Sequence, residues 1–344
     1  MPFSNSELSD AQKVTLDFFL KNRPVDQINV DRPLLKMLQS KQKEFPGGKQ
    51  YVVEQLRKAN QSNFQWINGA QEVTYNRRTT IEQSQFAWRT AHDGYAIDED
   101  RLAQNGITML DDGKGGQASK AELIQLNDLL MEQNEVLALG FDEKFSAALH
   151  LDGTSSTDAI TGLDAIVSLA PSSGTVGGID ASTNTWWRNN AATGLSSGTL
   201  LANMESVWRA CTKNGGKPDF IEAGSAFIDA YIAAMVSAGQ QIQYAGGQAR
   251  TLDGGVSGVY YKGVEIVWNP EFEDNFGESP ATSWSKRCYM LNTRHLTLRP
   301  MAGQDRITRK PPRAYNKYEY YCAITWRGSL TTNRRNAHGV LALS

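Results

Sequence analysis

The apolar positions of this chain change spacing from one stretch to the next, and each spacing predicts a different element. Near the start, Ser9-Asp10-Ala11-Gln12 reads as a helix start, with Val14, Phe18 and Phe19 on one face until Pro24 ends the run. A second short helix is predicted from Asp31, with Pro33 in its first turn and Leu34, Met37 and Leu38 following. Phe45-Pro46-Gly47-Gly48-Lys49 then breaks the chain.

Residues 50–97 read as strands. Tyr51-Val52-Val53 is strand-like, and Phe64 and Trp66 lead into Asn68-Gly69, with Val73 and Tyr75 beyond, a strong local hairpin signal. The returning arm, residues 79–90, is rich in strand formers and poor in apolar side chains. A ribbon polar on both faces has no core of its own, so the pattern predicts that it projects and finds its partner elsewhere. The period then lengthens. Leu123, Leu126, Leu130, Leu137, Phe141 and Phe145 share one face of a helix running from a Ser119/Glu122 capping box to His150, about 45–50 Å at the usual rise.

Beyond Asp152-Gly153 the pattern becomes α/β. Residues 162–169, GLDAIVSL, predict a strand, and Leu200, Leu201, Met204, Val207, Trp208 and Cys211 a helix ended by Asn214-Gly215-Gly216. Asp219-Phe220-Ile221 predicts a short buried strand. Ser225 is predicted to cap a helix that turns Phe227, Ile228, Tyr231, Ile232 and Met235 inward. Residues 258–270 predict a hairpin turning at Lys262-Gly263. The final segment returns to strands, alternating over residues 295–300 and placing Tyr318, Tyr320, Cys322, Ile324 and Trp326 on one face.

One loop stands apart. GGIDASTNTWWRNN, residues 177–190, is small and polar, yet it closes on two adjacent indoles, Trp186 and Trp187, followed by Arg188.

Composition changes the picture little. The 344 residues, 40% hydrophobic and 21% charged, give a globular chain with room for two packed units. The segment MPFSNSELSD has neither the basic nor the apolar region of a secretory signal, and no window predicts a membrane span. Cys211, Cys288 and Cys322, odd in number and widely spaced, read as reduced thiols rather than a disulfide frame or zinc site. Charge is more informative. From Lys286 to Ser344 twelve Lys+Arg face only Asp305 and Glu319, a balance of +10 that leaves −12 for residues 1–285. Such a basic end meets either nucleic acid or the acidic body of a neighbouring copy.

Catalytic templates fail. GKGG (113–116) lacks the Lys-Ser/Thr of a phosphate loop, and three consecutive acids, Asp98-Glu99-Asp100, read as a solvated turn rather than a metal site. His92, His150, His295 and His338 show no ligand spacing, and no cysteine sits in a motif suited to nucleophilic attack. The expectation is a protein that is not an enzyme and has neither cofactor nor metal. An arm, a projecting hairpin, a long helix, an α/β insert and a final sheet describe a tile.

That order of parts resembles the major capsid proteins of tailed bacteriophages, the Hong Kong ninety-seven shell fold, of α+β class. Residues 162–189, GLDAIVSLAPSSGTVGGIDASTNTWWRN, resemble a stretch found in a subset of them. RPLLKML and FPGGK within residues 32–49, and TWRGSLTTNRRNAHGVLAL (325–343), are similar to other capsid segments. The resemblance implies an N-terminal arm (1–48), an extended loop hairpin (49–100), a peripheral domain with a spine helix (101–158), an α/β axial domain (159–284) and peripheral C-terminal strands (285–344). It implies pentamers and hexamers of an icosahedral head around double-stranded DNA, in a virion assembled in host cytoplasm, with no membrane. The partners implied are copies of itself, a portal protein and non-specifically held DNA, with room for a decoration protein. Because the hairpin begins by about residue 50, no long scaffolding segment fits before it, and a separate scaffolding protein is expected. Lys49 and Lys58 identify no crosslinking pair.

On this reading the candidate contacts between subunits are Phe64, Trp66, Asn68 and Gly69 at the hairpin tip, and Trp186, Trp187 and Arg188 in the polar loop. In the basic end they are Arg309 and Arg313, with Arg294, Arg299, Arg306 and Lys310 also expected to meet acidic groups of adjacent copies or DNA. If residues 184–188 are extended, the two indoles point to opposite faces, one into the core and one toward a neighbour. The alternative is that both anchor the loop internally. Two other readings stay open: an encapsulin-like compartment on the same fold, and a carbohydrate-active hydrolase or binding protein with paired carboxylates in an aromatic cleft.

Overall fold

The computed structural model of the chain describes residues 29–98, 100, 120–213, 216–237, 258–312 and 319–344, and within 120–129 it describes the backbone. The predicted first helix, residues 113–116, Arg313 and Tyr318 lie outside the described residues, as do the side chains of Ser119, Glu122, Leu123 and Leu126.

In chain order the elements begin with α1 (Pro33–Ser40), β1 (Tyr51–Arg57), β2 (Ile81–Ala87), β3 (Arg89–Asp98), α2 (Lys120–His150) and α3 (Leu163–Ile166). There follow β4 (Thr175–Val176), β5 (Ile179–Asp180), β6 (Asn190–Leu195), α4 (Ser197–Thr212), β7 (Phe220–Ala223) and α5 (Ser225–Ser237). The chain closes with β8 (Val259–Tyr261), β9 (Val264–Trp268), β10 (Arg287–Leu291), β11 (Leu296–Pro300), β12 (Ile307–Arg309), β13 (Glu319–Thr332) and β14 (Gly339–Leu343). The described residues form two compact units, one from those within 29–30, 90–145 and 303–327, the other from those within 31–89, 146–302 and 328–344.

In the second unit a six-stranded sheet runs β6-β14-β10-β7-β9-β8, parallel at β6/β14 and β7/β9 and antiparallel elsewhere. Leu200, Met204, Trp208, Phe227 and Tyr231 from α4 and α5 share its core with Ile221, Ile266, Met290 and Leu341. The β8–β9 hairpin turns where expected, at Lys262 (φ 49°) and Gly263 (φ 82°), the positive pair a two-residue turn demands. β10 and β14 lie beyond residue 285 yet are inner strands of this sheet, so the sheet straddles the domain boundary suggested there.

Three expectations are corrected. Residues 162–169 hold no strand; Leu163–Ile166 is one helical turn, with Leu163 and Ile166 buried. A short apolar run reads alike for a buried strand and a buried helix, and distant Arg335 decides the matter by holding the Ala165 and Ile166 carbonyls. Ser225 does not cap α5 but opens it, and its backbone N–H donates to Glu273 Oε1 instead. The hairpin is not free of the core either. β1 and β2 pair from Tyr51↔Ala87 to Arg57↔Ile81, and Val52, Leu56 and Phe86 are buried. The N–H of Gln85 donates to the Gly177 carbonyl, and a Cβ at Gly177 (φ +62°) would stand 2.9 Å from that of Ser84, so the polar loop lies tight against the ribbon's base.

Residues 31–48 of the arm join the same unit. α1 buries Leu34, Leu35 and Leu38, and beyond it the N–H groups of Lys43 and Phe45 donate to the carbonyls of Leu298 and Pro300, alongside β11. Arg32, at the start of α1, donates to Glu271 Oε1 at 2.8 Å. Glu271 also accepts from Ser146, while His150, Asn269 and Glu222 bond one another, all buried. Two cationic groups and two carboxylates thus close a buried network at the end of α2, which is tolerable inside a protein because each is partnered.

In the first unit β3 pairs with β13, as does β12, in the register Ile307↔Thr325 to Arg309↔Ala323. Leu137, Phe141 and Phe145 of α2 are buried there as their spacing predicts, with the Phe145 ring 4.7 Å from Trp326.

Candidate assembly surfaces and a basic cleft

The hairpin tip carries the most exposed aromatic side chains among the described residues. Asn68 and Gly69 open its turn, closed by the bond from Gln71 N–H to the Asn68 carbonyl at 2.8 Å. Beyond Arg57 the ribbon loses its backbone ladder. The tip is instead tied by side chains: Gln61 accepts from the Thr79 N–H, and Asn63 and Gln65 donate to Thr74. Trp66 is 89% and Tyr75 92% exposed, and Phe64 meets Trp66 edge to face at 5.2 Å. Such aromatics in water form a surface with a missing partner.

The polar loop separates its two indoles, but not as an extended segment. Thr185–Trp187 is a single 3-10 turn. Trp187 is 1% exposed, and its indole N–H donates to the Val176 carbonyl at 2.9 Å. Trp186 is half-buried, its ring 5.6 Å from that of Trp187, and it donates to Asn184 Oδ1. Arg188 turns back on its own loop, donating from Nε to the Ala181 carbonyl and from an Nη to the Ser182 carbonyl, each at 2.7 Å. The answer lies between the two expectations: one indole is core, the other forms a wall.

That wall belongs to a cleft of about 880 Å³. Among the described residues its lining carries six fixed positive charges, Arg57, Lys58, Arg188, Lys213, Arg334 and Arg335, together with His295, and no Asp or Glu. Arg335 lies at its most buried point. The guanidinium is out of solvent and donates to the carbonyls of Ile166, Ala165 and Trp187 and to Asn189 Oδ1, all neutral oxygens. Burial with no carboxylate pushes its pKa down to about 10. His295 is pushed below its ordinary value, first by burial and then by Arg334 and Arg294, against the upward pull of Asn333 and Asp219. A glycosidase needs two carboxylates beside its aromatic wall, and this cleft offers none.

The basic end, expected to meet acidic groups of adjacent copies or DNA, is partly answered within the chain. Arg299 pairs with Glu54, Arg306 with Asp142, and the buried Arg287 with Asp164 at 3.1 Å. Arg309 is exposed, but it donates to Thr325 Oγ1 at 2.7 Å and Gln304 Oε1 at 2.9 Å. Arg294 and Lys310 remain exposed. The structure therefore brings Phe64 to Trp66, and Trp186 to Trp187 and Arg188, while Arg309 belongs to another unit. Sequence reasoning missed Arg57, Lys213 and Arg335. They lie far apart in the chain, and no spacing links them.

No family model matches the chain. No curated protein matches it either. Solved structures do. A cyanophage A-1(L) capsid protein is similar over 96% of this chain and 98% of its own, with a TM-score of 0.63 and 16% identity. A capsid protein of Myoviridae phage XM1 matches over 94% and 95%, with a TM-score of 0.57 and 13% identity. An encapsulin from Synechococcus elongatus matches over 99% and 96%, with a TM-score of 0.50 and 11% identity. The chain has the α+β Hong Kong ninety-seven shell fold of phage major capsid proteins.

Proposed function

We propose that this chain is the major capsid subunit of a tailed bacteriophage, a structural protein and not an enzyme. The observation that carries the reading is a likeness to capsid proteins that spans nearly the whole chain, both ways. The exposed aromatic tip supports it, because an isolated ribbon with bare indole and phenol rings gains order and burial only against another molecule. On this reading residues 1–48 are an arm, 49–100 the loop that overlies a neighbour, and 101–158 with 285–344 a peripheral domain, apart from β10 and β14, which complete the sheet of residues 159–284. Residues 159–284 surround the local symmetry axes of pentamers and hexamers. The shell assembles in host cytoplasm with a separate scaffolding protein and a portal, becomes the virion, and holds double-stranded DNA without sequence preference; a decoration protein is compatible with it.

A second reading, an encapsulin-like compartment with protein cargo, is favoured by the likeness to an encapsulin. Electron microscopy of the expressed protein separates a shell from a soluble monomer. Nucleic-acid content of particles from infected cells then separates the two shells: DNA supports the phage head, and DNA-free particles filled with protein support the compartment.

A further inference from the structure

The basic cleft has no role in anything described so far. Its walls come from the end of β1 and the chain after it, the tryptophan loop, the last turn of α4 and the segment 333–336. Several of its charges are already used: Lys58 reaches Glu82 at 2.8 Å, and Arg188 and Arg335 are tied to carbonyls. Two are not. Arg57 and Lys213 are exposed and form no ion pair among the described residues. Behind them lies the Arg335 charge, buried without a counter-ion, and its field acts in a medium of low dielectric. An anion entering this cleft gains from all three at once.

We infer that the cleft seats an extended acidic peptide segment of a second copy of this chain, a contact that rests on the shell reading. Two observations favour a peptide over nucleic acid. Among the described residues β1 pairs only with β2, and β6, whose first residue Asn190 lines the cleft, stands at the end of its sheet. Unpaired strand edges recognise backbone by adding a strand, which nucleic acid cannot do. Of the asparagines that line the same space, Asn60 is exposed and the buried Asn336 Oδ1 has no hydrogen-bond partner among the described residues, which leaves amide groups suited to a peptide backbone. The charge division of the chain points to the source: residues 1–285 carry −12, so every assembled copy brings, with its own cleft, an acidic body to offer a neighbour's.

A zero-length carbodiimide crosslink tests this, since it joins a lysine to a carboxylate only at ion-pair distance. Copies labelled with heavy nitrogen are mixed with unlabelled copies, assembled, crosslinked and mapped by mass spectrometry. Lys58–Glu82 within one copy is the internal control. The inference expects Lys213 joined to an Asp or Glu of the other isotope, and it expects Lys213→Gln to lose that product while keeping the control. It also expects Arg57→Glu to reduce the yield of that Lys213 product, with the subunit melting unchanged. Lys213 products confined to one isotope, or none while the control forms, overturn it. So does a Lys213 that nuclease treatment alone exposes to acetylation, which would assign the cleft to nucleic acid. Closed shells without the mixed product sink this inference and leave the proposed function; the mixed product in an open oligomer does the reverse.

Discussion

His150 Nε2 stands 3.3 Å from Glu222 Oε2, with both side chains sealed from solvent. Burial works against a charged imidazole, but Glu222, the Ser146 carbonyl and Glu271 together outweigh it and hold the pKa above its ordinary 6.5. A raised folded-state pKa gives stability that is complete below the unfolded value and is lost as pH rises through the folded one. The urea midpoint should therefore be higher at about pH 6 than at about pH 9. His150→Gln should flatten that slope and, by leaving Glu222 without its cation, cost about 3–5 kcal/mol. A slope unchanged by the substitution would show that His150 is neutral in the core.

The hairpin divides into a base that folds the subunit and a tip that does not. Phe86→Ala, at 1% exposure, should lower subunit stability by about 3–5 kcal/mol. Trp66→Ala should leave the melting transition of the free subunit in place and reduce shell yield. Calorimetry and light scattering on the same preparations check both. A large fall in melting temperature for Trp66→Ala would put the tip in a core.

The adjacent tryptophans should part company in the same way. Trp187→Ala leaves a void beneath the loop and orphans the Val176 carbonyl, for about 3–5 kcal/mol of lost stability by urea titration. Trp186→Ala, at the cleft wall, should cost well under half as much. Equal losses would contradict the division between core and wall.

Arg335 should tolerate no conservative exchange. Its fork reaches three carbonyls, two in α3 and one in the tryptophan loop, and lysine cannot span them. Arg335→Lys should cost about 1–3 kcal/mol for each carbonyl left unpaired, and hydrogen exchange should quicken around α3 and residues 186–189. Unchanged protection there would refute the role.

The elements that were legible in the sequence are those whose reason is local. Lys262-Gly263 carries its turn in two residues, β11 shows its alternation, and the face of α2 shows in Leu137, Phe141 and Phe145. What stayed hidden depends on residues far apart in the chain. Leu163–Ile166 is a helix because Arg335, 169 residues from Ile166, caps it. The network of Arg32, Glu271, Asn269, Glu222 and His150 has no spacing at all, and the cleft is visible only once five segments converge.

The central claim is that this chain builds a shell with its hairpin laid on a neighbour. A particle reconstruction by electron microscopy of the assembled protein tests it most directly. The account predicts closed icosahedral particles in which Trp66 and Tyr75 are covered by an adjacent subunit. A protein that stays a compact monomer across concentration and salt, or closed particles with those two rings still in solvent, would contradict it.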